Sequence, residues 1–209
     1  MTVKNLIFDL GNVIIDLDIN RTWLHLAHYL GDDYQNTLKM IHPDSDIFID
    51  FEVGKITEQQ FLKTLRNASE TPLSILTLKN AWNAMLLSIN PARFDMLARL
   101  KEKYRVFILS NTNETHLAWV DGYLQTIHGF DISALDTRFS HRAYYSHIMG
   151  LRKPNVNIYE FVLEKEGLIA AETLFIDDNA DNIKGAQSVG LQTILHKIGD
   201  EIVDVMRDY

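Results

Sequence analysis

The sequence predicts an α/β fold: a parallel sheet covered on both faces, with a helical stretch inserted after its first strand. Three observations predict it. Short apolar runs recur without polar–apolar alternation, as in strands buried on both sides. Helix start and stop residues punctuate the chain between them. From residue 18 to residue 89 that rhythm breaks, and only helix-like periodicity remains.

The strands are expected at 5–9, 105–110, 173–177 and 192–196, each a brief apolar run with polar flanks. Within the insert, Trp23, Leu24, Ala27 and Leu30 fall on one helical face and Gly31 follows. Thr57-Glu58-Gln59-Gln60 fits a capping box, and Phe61, Leu62 and Leu65 give the next helix its apolar side. Thr71-Pro72 begins a further helical stretch carrying Leu78, Trp82, Met85 and Leu86. Past the insert, Asn90-Pro91 reads as an N-cap with proline at the first helical position, opening a helix to about Lys103. Lys153-Pro154 opens another that Gly167 closes, and Gly190 closes one beginning near Asn179. Residues 198–209 read as an amphipathic helix covering the sheet. The division expected is 1–17 with 90–209 as the α/β core and 18–89 as a separate helical unit.

The chain has 209 residues, 46% hydrophobic and 23% charged, enough for a substantial core. Its net charge of -8 argues against a nucleic-acid partner, and an anionic substrate would need a local cation. Without cysteine there is no disulfide, thiolate nucleophile or cysteine-bound zinc. No apolar run approaches a membrane span, and MTVKNLIFDL does not resemble a signal peptide, so a cytoplasmic protein is expected. The eight histidines show no metal-binding pattern; His25 and His28 lack a carboxylate partner, and His141 and His147 read as surface residues.

In an open parallel sheet, ligands bind beyond the carboxyl ends of the strands. Here those ends carry Asp9, then Ser110-Asn111-Thr112-Asn113, then Asp177-Asp178-Asn179. If the strands are neighbours, Asp9, Ser110 and Asp177-Asp178 converge, and Lys153 at a helix start supplies a cation. Each alone has a plainer role as turn residue, helix cap or solvated charge. Together, three unpaired carboxylates in one crevice repel, and a divalent cation with oxygen ligands, magnesium above all, resolves the repulsion. A carboxylate can serve as nucleophile while hydroxyl, amides and lysine hold the phosphoryl oxygens.

FDLGNVI, LSNTN, RKP and FIDDNADN, in this order at strand ends, resemble the four motifs of the haloacid-dehalogenase-like (HAD) hydrolases, and the resemblance runs from about Asn5 to His196. It implies a Rossmann-like parallel core, with the 18–89 insert as a helical cap. It further implies Asp9 as nucleophile, Ser110 and Asn111 as phosphate-binding residues, and Lys153 as the cation shared by nucleophile and substrate. Magnesium would be held by Asp9, the Gly11 carbonyl, Asp178 and, through water, Asp177; Asn182, or else Asp181, would orient the site. A small phosphorylated molecule is the implied partner, with no nucleic acid or membrane, and the protein a monomer or homodimer.

Many phosphatases of that family carry a second aspartate two residues after the nucleophile, to protonate the leaving group; this chain has Gly11. Loss of such a proton carrier commonly costs about 10²–10⁴-fold in rate. The variant resembles a bacterial subgroup that includes sugar-1-phosphate (glucose-1-phosphate) phosphatases, whose anomeric leaving group needs less acid help. Asp16 and Asp18 are possible substitutes but fit better as the entry to the cap. A metal-free haloacid dehalogenase would have no use for Asp177-Asp178, and a non-catalytic phospho-ligand-binding protein none for all four residues together. FEVGKIT, 51–57, is the expected selecting loop, through Glu52 or Lys55, and Arg152 either pairs with an acid or approaches the phosphate. Trp23, Trp82 and Trp119 read as packing residues.

Overall fold

A computed structural model describes residues 2–30, 39, 42, 45–69 and 72–209; Gly31 and Thr71 lie outside them. Five parallel strands form one sheet in the order β3-β2-β1-β4-β5. They are β1 (Asn5–Phe8), β2 (Arg105–Ser110), β3 (Arg142–Tyr145), β4 (Thr173–Asp177) and β5 (Gln192–Leu195). Strand β1 lies between β2 and β4, with Ile7 opposite both Phe107 and Phe175. That register brings the carboxyl ends of all three to one edge.

The lack of alternation has the expected cause. Leu6, Phe8, Val106, Ile108, Leu174 and Ile176 face one buried cluster. Their neighbours Ile7, Phe107, Leu109 and Phe175 face another. The first cluster is completed by α5 (Pro91–Lys101) and α6 (Glu114–Tyr123), the second by α8 (Val156–Glu166) and α9 (Ala180–Ser188). Burying a large aliphatic or aromatic side chain contributes about 1.5–3 kcal/mol, so a strand apolar on both faces is held from both sides.

The insert carries α1 (Ile19–Leu30), α2 (Asp46–Glu52), α3 (Glu58–Asn67) and α4 (Ile75–Asn83), with no strand among its described residues. Its own cluster joins Leu26 and Leu30 of α1, Phe51 of α2, Phe61, Leu62 and Leu65 of α3, and Leu78, Ala81 and Trp82 of α4. The two ends of the insert pair with each other: Asp16 N donates to Ser88 O at 2.9 Å, Leu87 N to Asp16 O at 3.0 Å, and Leu17 bridges to Leu86. The capping box forms as expected, Thr57 and Gln60 each satisfying the other's backbone.

Four details differ from expectation. Strand β3 is a fifth, edge strand; RAYY has an exposed arginine and too little apolar length to stand out. Helix α1 buries Thr22, Leu26 and Leu30, whereas Leu24 is exposed. Thr22 tolerates burial because its hydroxyl donates to Trp82 O and accepts from Met85 N. Helix α4 starts at its Ser74 cap, leaving Met85 and Leu86 beyond its end. At the C-terminus only α10 (Ile202–Val205) is helical, since Glu201 caps it and Gly199 stands at φ 96° before it. The short α7 (Ser146–Met149) follows β3.

Candidate active site

Strand β1 delivers Asp9 directly, its backbone N–H donating to Ile176 O at 2.8 Å across the sheet. Lys153 arrives from the turn before α8. It does not begin that helix, because its backbone is already committed: Asn111 Nδ2 donates to Lys153 O and Lys153 N donates to Asn111 Oδ1, both at 2.9 Å. So held, Lys153 Nζ lies 2.8 Å from Asp9 Oδ1 and 2.7 Å from Asp177 Oδ2. All three residues are buried.

Asp177 has every direction filled. Asn182 Nδ2 donates to both of its oxygens at 3.0 Å, and Asn179 N donates to Oδ1 at 2.8 Å. Asp178 is more open, and Asn12 Nδ2 donates to its Oδ2 at 2.8 Å. Asn12 takes φ 52°, a left-handed conformation that asparagine tolerates better than most residues. Asp181, the alternative to Asn182, is exposed and paired with Lys184 away from this cluster.

Burial pushes the Asp9 carboxyl up, Lys153 pulls it down, and Asp177 and Asp178 push it up again; the net result is raised. Burial opposes the Lys153 charge, yet Asp177 and Asp9 hold it above its ordinary value. One lysine therefore leaves three acids incompletely compensated. Asp9, Asp177 and Asp178 each place a carboxylate oxygen within 4.8 Å of the others. A set of hard oxygen donors short of positive charge fits magnesium.

Beside the cluster, a cavity of about 190 Å³ opens between the core and the insert. Its floor is Leu10, Gly11 and the Ser110–Asn113 turn; its walls include Leu17, Trp23, Phe48, Met85, His116 and Glu52. Ser110 lines this cavity, its hydroxyl donating to Asn111 O at 3.4 Å. Asn111 also lines the cavity, but its amide is spent on the Lys153 backbone, a positioning task that sequence spacing could not reveal. A Cβ on Gly11 would lie 2.7 Å from Leu17 Cδ1, so the Leu17 side chain occupies the space beside Gly11. Asp16 is instead bound to Arg93 at 2.7 Å, and Asp18 accepts from Asn20 N at the start of α1.

The 51–57 loop meets the core tightly. Ser146 Oγ lies 2.7 Å from Glu52 O. Gly54 has φ 70°, and a Cβ there would fall 2.1 Å from His147 O. Gly54→Val is therefore expected to be destabilised by about 1–3 kcal/mol through strain and collision. It should also weaken substrate binding; urea unfolding and KM measure the two effects. Lys55 points away and pairs with Asp50, whereas Glu52 enters the cavity and meets Arg152, with Oε2 and Nε 2.9 Å apart. Trp82 is buried and stacked on His116, and Trp23 lines the cavity. Asn12, Ser146 and His116 escaped sequence reasoning; only the Gly11-Asn12 pair, a left-handed-turn signal, marked any of them.

The model of the haloacid dehalogenase-like hydrolases matches residues 3–190. The protein belongs to this family. A solved HAD-family enzyme of Bacteroides thetaiotaomicron, in complex with magnesium and inorganic phosphate, superposes with a TM-score of 0.85 at 33% identity, covering 97% of this chain and 98% of that one. A HAD-like hydrolase from Porphyromonas gingivalis gives a TM-score of 0.86 at 28% identity, covering 99% and 97%. Among curated proteins, D-ribitol-5-phosphate phosphatase of Bacteroides thetaiotaomicron is 28% identical over 191 residues, 91% of this chain and 90% of that protein. In this HAD-like hydrolase no helix among the described residues is long and apolar enough to cross a membrane.

Proposed function

We propose that this HAD-like hydrolase is a magnesium-dependent phosphatase that releases phosphate from a small phosphorylated sugar or polyol through a phosphoryl group carried on Asp9. One observation carries the proposal: a buried lysine holds Asp9 and a second acid at 2.8 and 2.7 Å, with a third acid beside them and a small cavity lined by the adjoining Leu10, Gly11 and Ser110. The 28%-identical relative bearing a polyol-phosphate phosphatase name, and the magnesium and phosphate in the 33%-identical structure, support it.

Asp9, Asp178 and the Gly11 carbonyl would hold the metal, with Asp177 behind them. A bound divalent cation supplies charge neutralisation between nucleophile and phosphoryl group. The protein's own residues do the rest. The Asp9 carboxylate attacks phosphorus. Lys153 keeps that carboxylate oriented and offers charge to the phosphoryl oxygens, and Ser110 donates its hydroxyl to them. Asn182 and Asn179 hold Asp177, which in turn holds Lys153. Residues 18–89 act as a cap that excludes water and selects the leaving group.

The test is phosphate release with and without magnesium, over a panel of sugar 1-phosphates, pentitol and hexitol phosphates, nucleotides and p-nitrophenyl phosphate, with 2-chloropropionate alongside. Magnesium-dependent release, reduced to background by EDTA and restored by added Mg²⁺, is expected, fastest on a sugar or polyol phosphate. Halide release without metal would make the protein a dehalogenase. Vanadate binding without turnover on any ester would make it a binding protein.

A further inference from the structure

Phosphoryl transfer from an alkyl ester leaves an alkoxide that must gain a proton, and Gly11 has none to give. The proton donor must then lie elsewhere around the cavity. Among the described residues that line it, Glu52 is the sole carboxylic acid and His116 the sole imidazole. His116 is unsuited to the task. Burial lowers its pKa to about 3, and its Nδ1 is engaged with Asn83 Oδ1 at 2.8 Å, so it stays neutral.

Glu52 has the opposite character. It is the last residue of α2, 9% exposed, and it projects from the insert into the same cavity that Gly11 and Ser110 floor. Its Oε2 is buried and makes no hydrogen bond, although Arg152 Nε lies 2.9 Å away, out of alignment. The carboxyl group is thus ion-paired with a guanidinium while it lines the cavity. Arg152 immediately precedes Lys153, so the guanidinium that pairs with Glu52 sits one residue from the lysine that meets Asp9.

We propose that Glu52, supplied by the insert, is the general acid and then the general base of this hydrolase, doing from the cap what an aspartate at position 11 would do from the core. This rests on the phosphatase assignment above. In the first step the Asp9 carboxylate oxygen bonds to phosphorus, the bond from phosphorus to the leaving oxygen breaks, and that oxygen takes the Glu52 proton to become an alcohol. The Glu52 carboxylate left behind is stabilised by Arg152. In the second step it removes a proton from a water whose oxygen attacks phosphorus. The bond to Asp9 breaks, inorganic phosphate departs, and Glu52 is again protonated.

The electrostatics suit the task. Burial raises the Glu52 pKa to about 7, against the lowering effect of Arg152 and Lys153. The charged and titratable groups facing it are Arg152 and Lys153 from the core, with neutral His116 across the cavity. A pKa near the working pH lets one group give and then take a proton. The location also ties chemistry to closure: with the cap open, no proton carrier stands over the phosphorus.

The test compares Glu52→Gln with wild type on two esters, an alkyl phosphate (ribitol 5-phosphate or the best alkyl ester of the panel) and p-nitrophenyl phosphate, whose leaving group departs without a proton. Glu52→Gln should lose about 10²–10⁴-fold in kcat/KM on the alkyl ester and at least tenfold less on the nitrophenyl ester. The wild-type decline in alkyl-ester kcat/KM above about pH 7 should disappear in the variant. Equal losses on both esters, or a change in KM alone, would show that Glu52 only latches the cap, and would overturn the proposal while leaving the phosphatase assignment standing. Vanadate binding by the variant verifies its fold. Should it not fold, the wild type alone decides: dependence of kcat/KM on leaving-group pKa must steepen between pH 6 and pH 9, and an unchanged slope overturns the proposal. Wild-type protein that releases no phosphate from any ester removes the phosphatase assignment and this proposal together.

Discussion

Asp9→Asn is expected to abolish phosphate release, by a factor on the order of 10⁴–10⁶, as removal of an enzymatic nucleophile does. An amide has the same shape but cannot displace an alkoxide from phosphorus. The fold should survive. Burial raises the Asp9 pKa, and the two acids beside it add to that, so neutralising it removes a desolvation and repulsion cost as well as an ion pair. Lys153 keeps its 2.7 Å contact with Asp177. Wild-type enzyme quenched in acid during turnover should carry phosphate on the protein, and the variant none. An Asp9→Asn protein with undiminished turnover, or one still phosphorylated at an acid-stable site, would remove Asp9 from the mechanism.

Lys153→Met should lose both activity and stability. Removing one partner of a buried ion pair typically costs about 3–5 kcal/mol, because the other partner is left buried and uncompensated. Here one ammonium serves two buried carboxylates, Asp9 and Asp177. The deficit should depend on pH, with a definite sign. A carboxyl whose folded pKa is raised contributes stability that is present below its unfolded value, near 3.8, and is lost as pH rises through the folded value. Without Lys153 that upward push on Asp9 is unopposed, so the variant should be closest to wild type near pH 5 and furthest from it near pH 8. Magnesium should restore part of the difference, since a divalent cation can replace the missing charge. Urea unfolding at both pH values, with and without Mg²⁺, measures all three effects. A deficit independent of pH and of metal would mean that packing, and not charge, sets the role of Lys153.

Much of this was legible in the sequence, and the reasons are local. The central strands could be recognised because a strand buried on both faces must be apolar at every position, as Leu6-Ile7-Phe8 and Leu174-Phe175-Ile176 are. The edge strand Arg142–Tyr145 could not, because one side of it meets solvent and its pattern is that of a loop. The capping box at Thr57 and the Asn90 cap were visible because both partners lie within a few residues. The face of α1 was misjudged because Thr22 is buried on the strength of bonds to residues about sixty positions away.

The site divides along the same line. Which residue types end the strands, and so the family and the class of chemistry, could be read in place, because Asp9, Ser110, Lys153 and Asp177-Asp178 stand in short motifs. Contacts across the fold set what each one touches. They turn Asn111 into the clamp on Lys153, Asn182 into the holder of Asp177, and Gly11 into the floor beneath Leu17. They also turn Glu52 into the cavity against Arg152 and Lys55 toward Asp50. These are contacts between residues brought together across the whole chain. Their geometry follows from how the insert closes on the core, which no local periodicity encodes.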